Sequence, residues 1–128
     1  MPRPIPAALL LASLLLIFGE TAQAAGPGRG EALFQANCAA CHNDQPGALG
    51  PSLAGVVGRK AASLPGYRYS GPLSRSGLTW TPDTLTAFVI APQSVVKGTR
   101  MPFEGLEARA DAEAIVAYLG TLPPPPKP

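Results

Sequence analysis

The chain has 128 residues and a net charge of only +2, with Lys and Arg scattered singly apart from Arg59-Lys60. That length suits one domain and leaves no room for two. The missing basic run removes the electrostatic footprint that nucleic-acid binding needs, and past residue 24 no apolar stretch is long enough to cross a membrane.

The N-terminus reads as a targeting segment. Arg3 supplies a positive flank, Ala7 to Phe18 is an apolar run broken only by Ser13, and Ala22-Gln23-Ala24 has the small-x-small form of a cleavage site. Together these predict a Sec-type signal peptide over residues 1–24, since the run falls short of the roughly 20 residues of a membrane span. No cysteine lies near that site, so no lipoprotein anchor is expected. The domain is then expected over residues 25–122, with a stiff Pro-rich tail over 123–128.

Gly26 to Gly30 reads as a flexible lead-in, and Glu31 to Asn37 as a short helix offering Leu33 and Phe34 to a core. Asn43 to Leu64 is rich in Gly, Pro, Asn and Ser and reads as loop, and Gly66 to Gly77 continues as turn-rich chain. Thr81-Pro82-Asp83 predicts a helix start, with Thr as N-cap, Pro in the first turn and an acid beside it. That helix carries Leu85, Phe88 and Val89 and stops before Pro92. Pro92 to Gly105 reads as loop. Arg109 to Leu119 is the clearest helix, with Ala112, Ile115, Val116 and Leu119 on one face, Gly120 as C-cap and Pro123 just beyond. The expected fold class is all-α. Three modest helices joined by long loops make a thin core for a small domain, and a large flat apolar cofactor would supply what is missing.

The chemistry lies in Cys38-Ala39-Ala40-Cys41-His42. Two cysteines in an oxidising compartment form a disulfide by default, and a bare C-x-x-C also serves redox dithiols and zinc sites. Zinc needs further Cys or His ligands, which this chain lacks, and a thioredoxin-like motif needs a βαβ context. C-x-x-C-H is the attachment signature of haem c. Two thiols three residues apart can reach the two vinyl groups on one porphyrin edge, and the next residue can place its imidazole on the iron. His42 is the only histidine, so a second imidazole ligand from this chain is impossible. Methionine is the common alternative in electron-transfer haems. The chain has Met1, lost with the signal, and Met101, in the loop Gly98-Thr99-Arg100-Met101-Pro102. Met101 becomes the candidate sixth ligand nearly by elimination, and a haem-sized apolar slot is expected between it and His42. His/Met ligation raises the reduction potential and leaves no open iron site, which suits electron transfer rather than small-molecule activation.

From Gly30 to Leu119 the chain resembles a class I cytochrome c of the mitochondrial type and its short bacterial relatives. The likeness rests on Phe34, the Cys38–His42 motif, Gly50-Pro51-Ser52-Leu53, Gly58-Arg59-Lys60, Gly66-Tyr67-Arg68-Tyr69-Ser70, Leu78-Thr79-Trp80, Gly98-Thr99-Arg100-Met101 and Ala117-Tyr118-Leu119, in that order. The resemblance implies the cytochrome c fold, with Gly30 and Phe34 of the first helix crossing the last helix at Ile115 and Tyr118. It implies one covalent haem c, with Pro51 accepting the imidazole N–H of His42. It further implies that Tyr69 and Trp80 donate to a haem propionate, with Arg59 near that charge, and that Thr99 belongs to the haem-binding set. The partners it implies are redox proteins: a quinol-oxidising cytochrome complex or periplasmic dehydrogenase as donor, and a terminal oxidase or similar acceptor. The expected form is a monomer or transient complexes in the periplasm, with no nucleic acid and no stable membrane insertion after signal cleavage.

Three features depart from the mitochondrial type. The stretch from His42 to Pro51 is shorter, Phe88 stands where a tyrosine is usual near the ligating sulfur, and the lysine ring is mostly missing. Lys60, Lys97, Lys127, Arg68, Arg75 and Arg100 remain, so electrostatic steering is weaker. Three functions compete: a free carrier, a dedicated haem c subunit of a periplasmic oxidoreductase, and a ligand-binding haem protein. The last requires Met101 to leave the iron.

Overall fold

The computed structural model describes residue 1 and residues 27–126. The predicted signal segment beyond residue 1, and the last two residues of the tail, lie outside the described residues.

Five helices follow one another: α1 (Pro27–Asn37), α2 (Gly71–Arg75), α3 (Pro82–Ile90), α4 (Pro92–Val95) and α5 (Arg109–Leu119). Among the described residues there is no strand, only an isolated antiparallel bridge between Lys60 and Thr79. The expected all-α class holds among the described residues.

α3 follows from its local sequence. The Thr81 hydroxyl accepts from the Thr84 amide at 3.2 Å, Pro82 fits the first turn because its missing N–H has no helical partner there, and Asp83 complements the positive helix end. The helix ends at Ala91, which Pro92 pushes out of helical backbone. Two short helices stand where the sequence reads as turn or loop. α2 forms because Ser70 caps Leu73 N at 3.3 Å and Pro72 fixes the first turn. α4 forms because Pro92, which stops α3, is also suited to start a helix.

α1 begins at residue 27, earlier than the predicted Glu31, and so encloses Gly30. Propensity argues against a helical glycine, but packing decides here. A Cβ on Gly30 would land on the Ala114 carbonyl oxygen and 2.9 Å from Tyr118 Cβ, so only glycine lets α1 and α5 cross this closely. Beside the crossing, the Phe34 and Tyr118 rings lie 5.3 Å apart at 51°, and Arg29 pairs with Asp111 across the same interface.

α5 buries the predicted face, Ala112, Ile115, Val116 and Leu119, together with Ala114. Gly120 does cap the helix, through its N–H to the Val116 carbonyl at 3.0 Å, but in right-handed conformation, so the left-handed freedom of glycine is not used. The core gathers Phe34, Val56, Trp80, Leu85, Phe88, Val96, Ile115, Val116 and Leu119. Its largest fully buried members include Ile115 and Val56, the latter held from the loop between α1 and α2.

Replacing Gly30 with Ala places a methyl against backbone that cannot rotate away. Overpacking of this kind costs roughly 1–3 kcal/mol, and each kcal/mol lowers the melting temperature of a domain this size by about 4–8 °C. Thermal denaturation of the holoprotein should show Gly30→Ala melting clearly below wild type; an unchanged melting temperature contradicts the crossing as described.

Candidate haem-attachment site

The attachment pentapeptide is the continuation of α1. Cys38 N and Ala39 N both bond the Phe34 carbonyl, at 2.8 and 3.0 Å, and Cys41 N and His42 N both bond the Cys38 carbonyl, at 3.1 and 3.0 Å. This extra turn carries the two cysteines and delivers His42 at its end. Both thiols are free and half-buried, so the default disulfide does not form. Burial, with the neighbouring Cys41 adding to it, pushes the Cys38 thiol up to about 11, which keeps it protonated at neutral pH. Among the described residues no group of three or more His, Cys, Asp or Glu could hold a metal ion, and no strand supplies a thioredoxin-like setting. The disulfide, zinc and dithiol alternatives thus find no support.

His42 is oriented by the loop that follows it. Its Nδ1 lies 2.7 Å from the Pro51 carbonyl oxygen. A carbonyl can only accept, so Nδ1 carries the proton and Nε2 keeps its lone pair for a metal. Gly50 makes room for the ring: a Cβ there would stand 2.6 Å from Nδ1 and 2.9 Å from Nε2. The loop is closed by Gly50 N to the Cys41 carbonyl at 2.9 Å, and the Tyr67 hydroxyl donates to the Leu49 carbonyl at 2.6 Å. Tyr67 and Gly50 carried no assigned role in the sequence reading. A short loop between a ligand and its acceptor was the available signal for Gly50; nothing local marked Tyr67.

Arg59, Tyr69 and Trp80 converge. Arg59 donates to the Ala54 carbonyl at 3.0 Å and the Ser52 carbonyl at 2.9 Å, gripping the chain just after Pro51. Its own carbonyl accepts Trp80 N at 2.8 Å, and Gly58 N bonds the Trp80 carbonyl at 2.7 Å. Burial pushes the Tyr69 phenol up from its ordinary value, while the Leu64 backbone and the Arg59 charge act in the opposite sense. Tyr69 also meets Tyr67 edge-on at 4.8 Å. Trp80 is 7% exposed and stacks at 5.0 Å on Phe88, which fills apolar space where a tyrosine would carry a hydroxyl.

Met101 is half-buried and packs on the same apolar cluster as Cys38. Thr99 is buried, and its carbonyl accepts from Gln93 at 2.9 Å. Two clefts flank the His42 loop. One of about 280 Å³ is lined by Phe34, Ala39, His42, Leu53 and Tyr118; one of about 550 Å³ by Gly50, Pro51, Tyr67 and Pro125. Met101 lines neither, so the expected slot from His42 to Met101 is not one of these two. The apolar surface shared by Cys38 and Met101 is instead the flank of the core, where Leu53, Leu73, Leu78 and Val95 remain only partly buried. Partly covered apolar side chains beside two free thiols and an imidazole with a free Nε2 fit a haem.

The comparisons agree with this chemistry. Residues 25–119 match the family described as "Cytochrome C oxidase, cbb3-type, subunit III". Cytochrome c2 iso-2 of Magnetospirillum fulvum is 48% identical over 87 residues, which span 66% of this chain and 91% of that protein. The chain belongs to the class I c-type cytochromes. Cytochrome c2 of Rhodopila globiformis is 44% identical over 98 residues, 75% of this chain and 92% of that one. The solved cytochrome cH from Methylobacterium extorquens superposes with a TM-score of 0.70 at 41% identity, covering 74% of this chain and 97% of its own. As a class I cytochrome the chain is a monohaem electron carrier, not an enzyme, with haem c bound through its two cysteines.

Tyr67→Phe removes the hydroxyl that ties Leu49 without touching the haem ligands. A lost hydrogen bond of about 1 kcal/mol corresponds to roughly fivefold more frequent local opening. Hydrogen exchange should show the Gly50 amide exchanging about fivefold faster and the α5 amides unchanged; an unchanged Gly50 amide, or equal acceleration throughout, would contradict the staple.

Proposed function

We propose that this cytochrome is a periplasmic one-electron carrier whose iron is ligated by His42 and Met101. The observation that carries the reading is the Nδ1–Pro51 hydrogen bond, which leaves Nε2 of the chain's only histidine free to ligate. When bound, the haem supplies a one-electron couple at its iron. The chain's part is to hold the surroundings still. The Pro51 carbonyl raises the basicity of the imidazole and fixes its ring plane. The Met101 thioether would be the second protein group on the iron and would favour its ferrous state. Arg59, Tyr69 and Trp80 would hold a haem propionate, with positive charge and donors offsetting its carboxylate, and Thr99 would complete the binding set.

Localisation rests on the predicted signal peptide over residues 1–24. Among the described residues no helix is long and apolar enough to cross a membrane. The proposed donor is a quinol-oxidising cytochrome complex or a periplasmic dehydrogenase, and the proposed acceptor a terminal oxidase. The family description names an oxidase subunit, which favours a second reading as a dedicated haem c subunit of an oxidoreductase. A permanent subunit buries a broad apolar face. Among the described residues only Met1 and Leu49 are large hydrophobics left widely exposed, which favours the carrier.

Met101→Ala should lower the reduction potential by on the order of 0.1 V, a fraction of the roughly 0.8 V that axial ligation spans, as read by redox titration of the holoprotein; an unchanged potential would sink the ligand assignment. Purification from membranes in high salt separates the two roles. A carrier comes away alone, whereas a dedicated subunit stays with its catalytic partner.

A further inference from the structure

The Gly98–Thr99 turn, two residues ahead of Met101, is held at both ends by one side chain that the haem-binding set does not include. Gln93, in α4, donates from Nε2 to the Thr99 carbonyl at 2.9 Å and accepts the Gly98 N–H on Oε1 at 3.0 Å. The two bonds need opposite polarity, which a primary amide presents in one plane at any pH. Flipping the amide would face N–H against N–H and oxygen against oxygen, so its orientation is fixed by chemistry. The turn is supported from two further directions. A Cβ on Gly98 would stand 3.1 Å from Pro72 Cγ of α2, and the Arg100 guanidinium donates to the Arg68 carbonyl. Gln93 is exposed, and Thr99 N is already satisfied by the Val96 carbonyl at 3.0 Å. Its amide thus adds nothing to the core. What it adds is restraint on a turn whose movement carries Met101.

We propose that Gln93 is a positioning residue that clamps the Met101 loop and so sets how readily the sixth axial position opens. This inference rests on the reading of Met101 as a ligand. With the clamp in place, displacement of Met101 must break both amide bonds or pivot within Arg100 alone. Without it, the Gly98 N–H and the Thr99 carbonyl turn to water and the loop swings as a unit.

The test reads carbon monoxide binding to the ferrous holoprotein at saturating gas, where the rate is set by loop opening rather than by collision. Wild type, Gln93→Leu, Gln93→Glu and Met101→Ala are compared, with covalent haem content confirming that each is assembled. Loss of these two hydrogen bonds, one exposed and one half-buried, should raise the limiting rate in Gln93→Leu by about tenfold. A carboxylate at 93 accepts from Gly98 but opposes the Thr99 carbonyl, so Gln93→Glu should also be fast near neutral pH. It should slow toward wild type as pH falls through the carboxyl range near about 4.3, where the protonated acid can donate. Gln93→Leu should show no such pH dependence, a signature that general loosening of the structure cannot produce. A Gln93→Leu rate equal to a slow wild type overturns the clamp and leaves Met101 as ligand. A wild-type rate equal to that of Met101→Ala overturns the ligand reading, and the clamp with it.

Discussion

The site depends on the bond between the His42 ring and the Pro51 carbonyl. It fixes the tautomer, the ring plane and the free nitrogen in one contact, and much of the surrounding chain serves it. α1 runs one turn past its end to deliver His42. Gly50 gives up its side chain so that the ring can pass. Arg59 spends two donors on the carbonyls of Ser52 and Ala54, which fixes the segment that presents Pro51. Arg59 therefore works on both sides of the site. Its guanidinium holds the loop, and its charge reaches Tyr69.

The opposite side is built with less redundancy. The Met101 loop is held by the short helices α2 and α4, by the C-terminal end of α3 through Gly105 and Leu106, and by a few polar contacts. The His42 side is tied directly to the α1–α5 crossing, where Gly30, Phe34 and Tyr118 interlock. With His42 rooted in the packed helices and Met101 carried by a restrained loop, the proposed ligation would place any ligand exchange on the methionine side.

Much of this was legible in the sequence because the signals were local or periodic. Thr81-Pro82 announced α3, and the spacing of Ala112, Ile115, Val116 and Leu119 announced the buried face of α5. The pentapeptide announced the cofactor because its chemistry needs those residues adjacent. The failures have a common cause. α1 extends through Gly30 because of a helix far along the chain, and no local propensity reports that. α2 and α4 rest on single caps and prolines that read equally well as turns. Tyr67 and Gln93 act on backbone groups eighteen and about five residues away, so their side chains carry no motif of their own.

The central claim is that one imidazole and one thioether close the iron. X-ray absorption at the iron edge of the ferrous holoprotein tests it most directly. A single sulfur at thioether distance alongside nitrogen donors is the predicted result, since the two thiols are taken up in attachment and Met101 is the only methionine besides Met1. A shell with nitrogen or oxygen donors alone would contradict it.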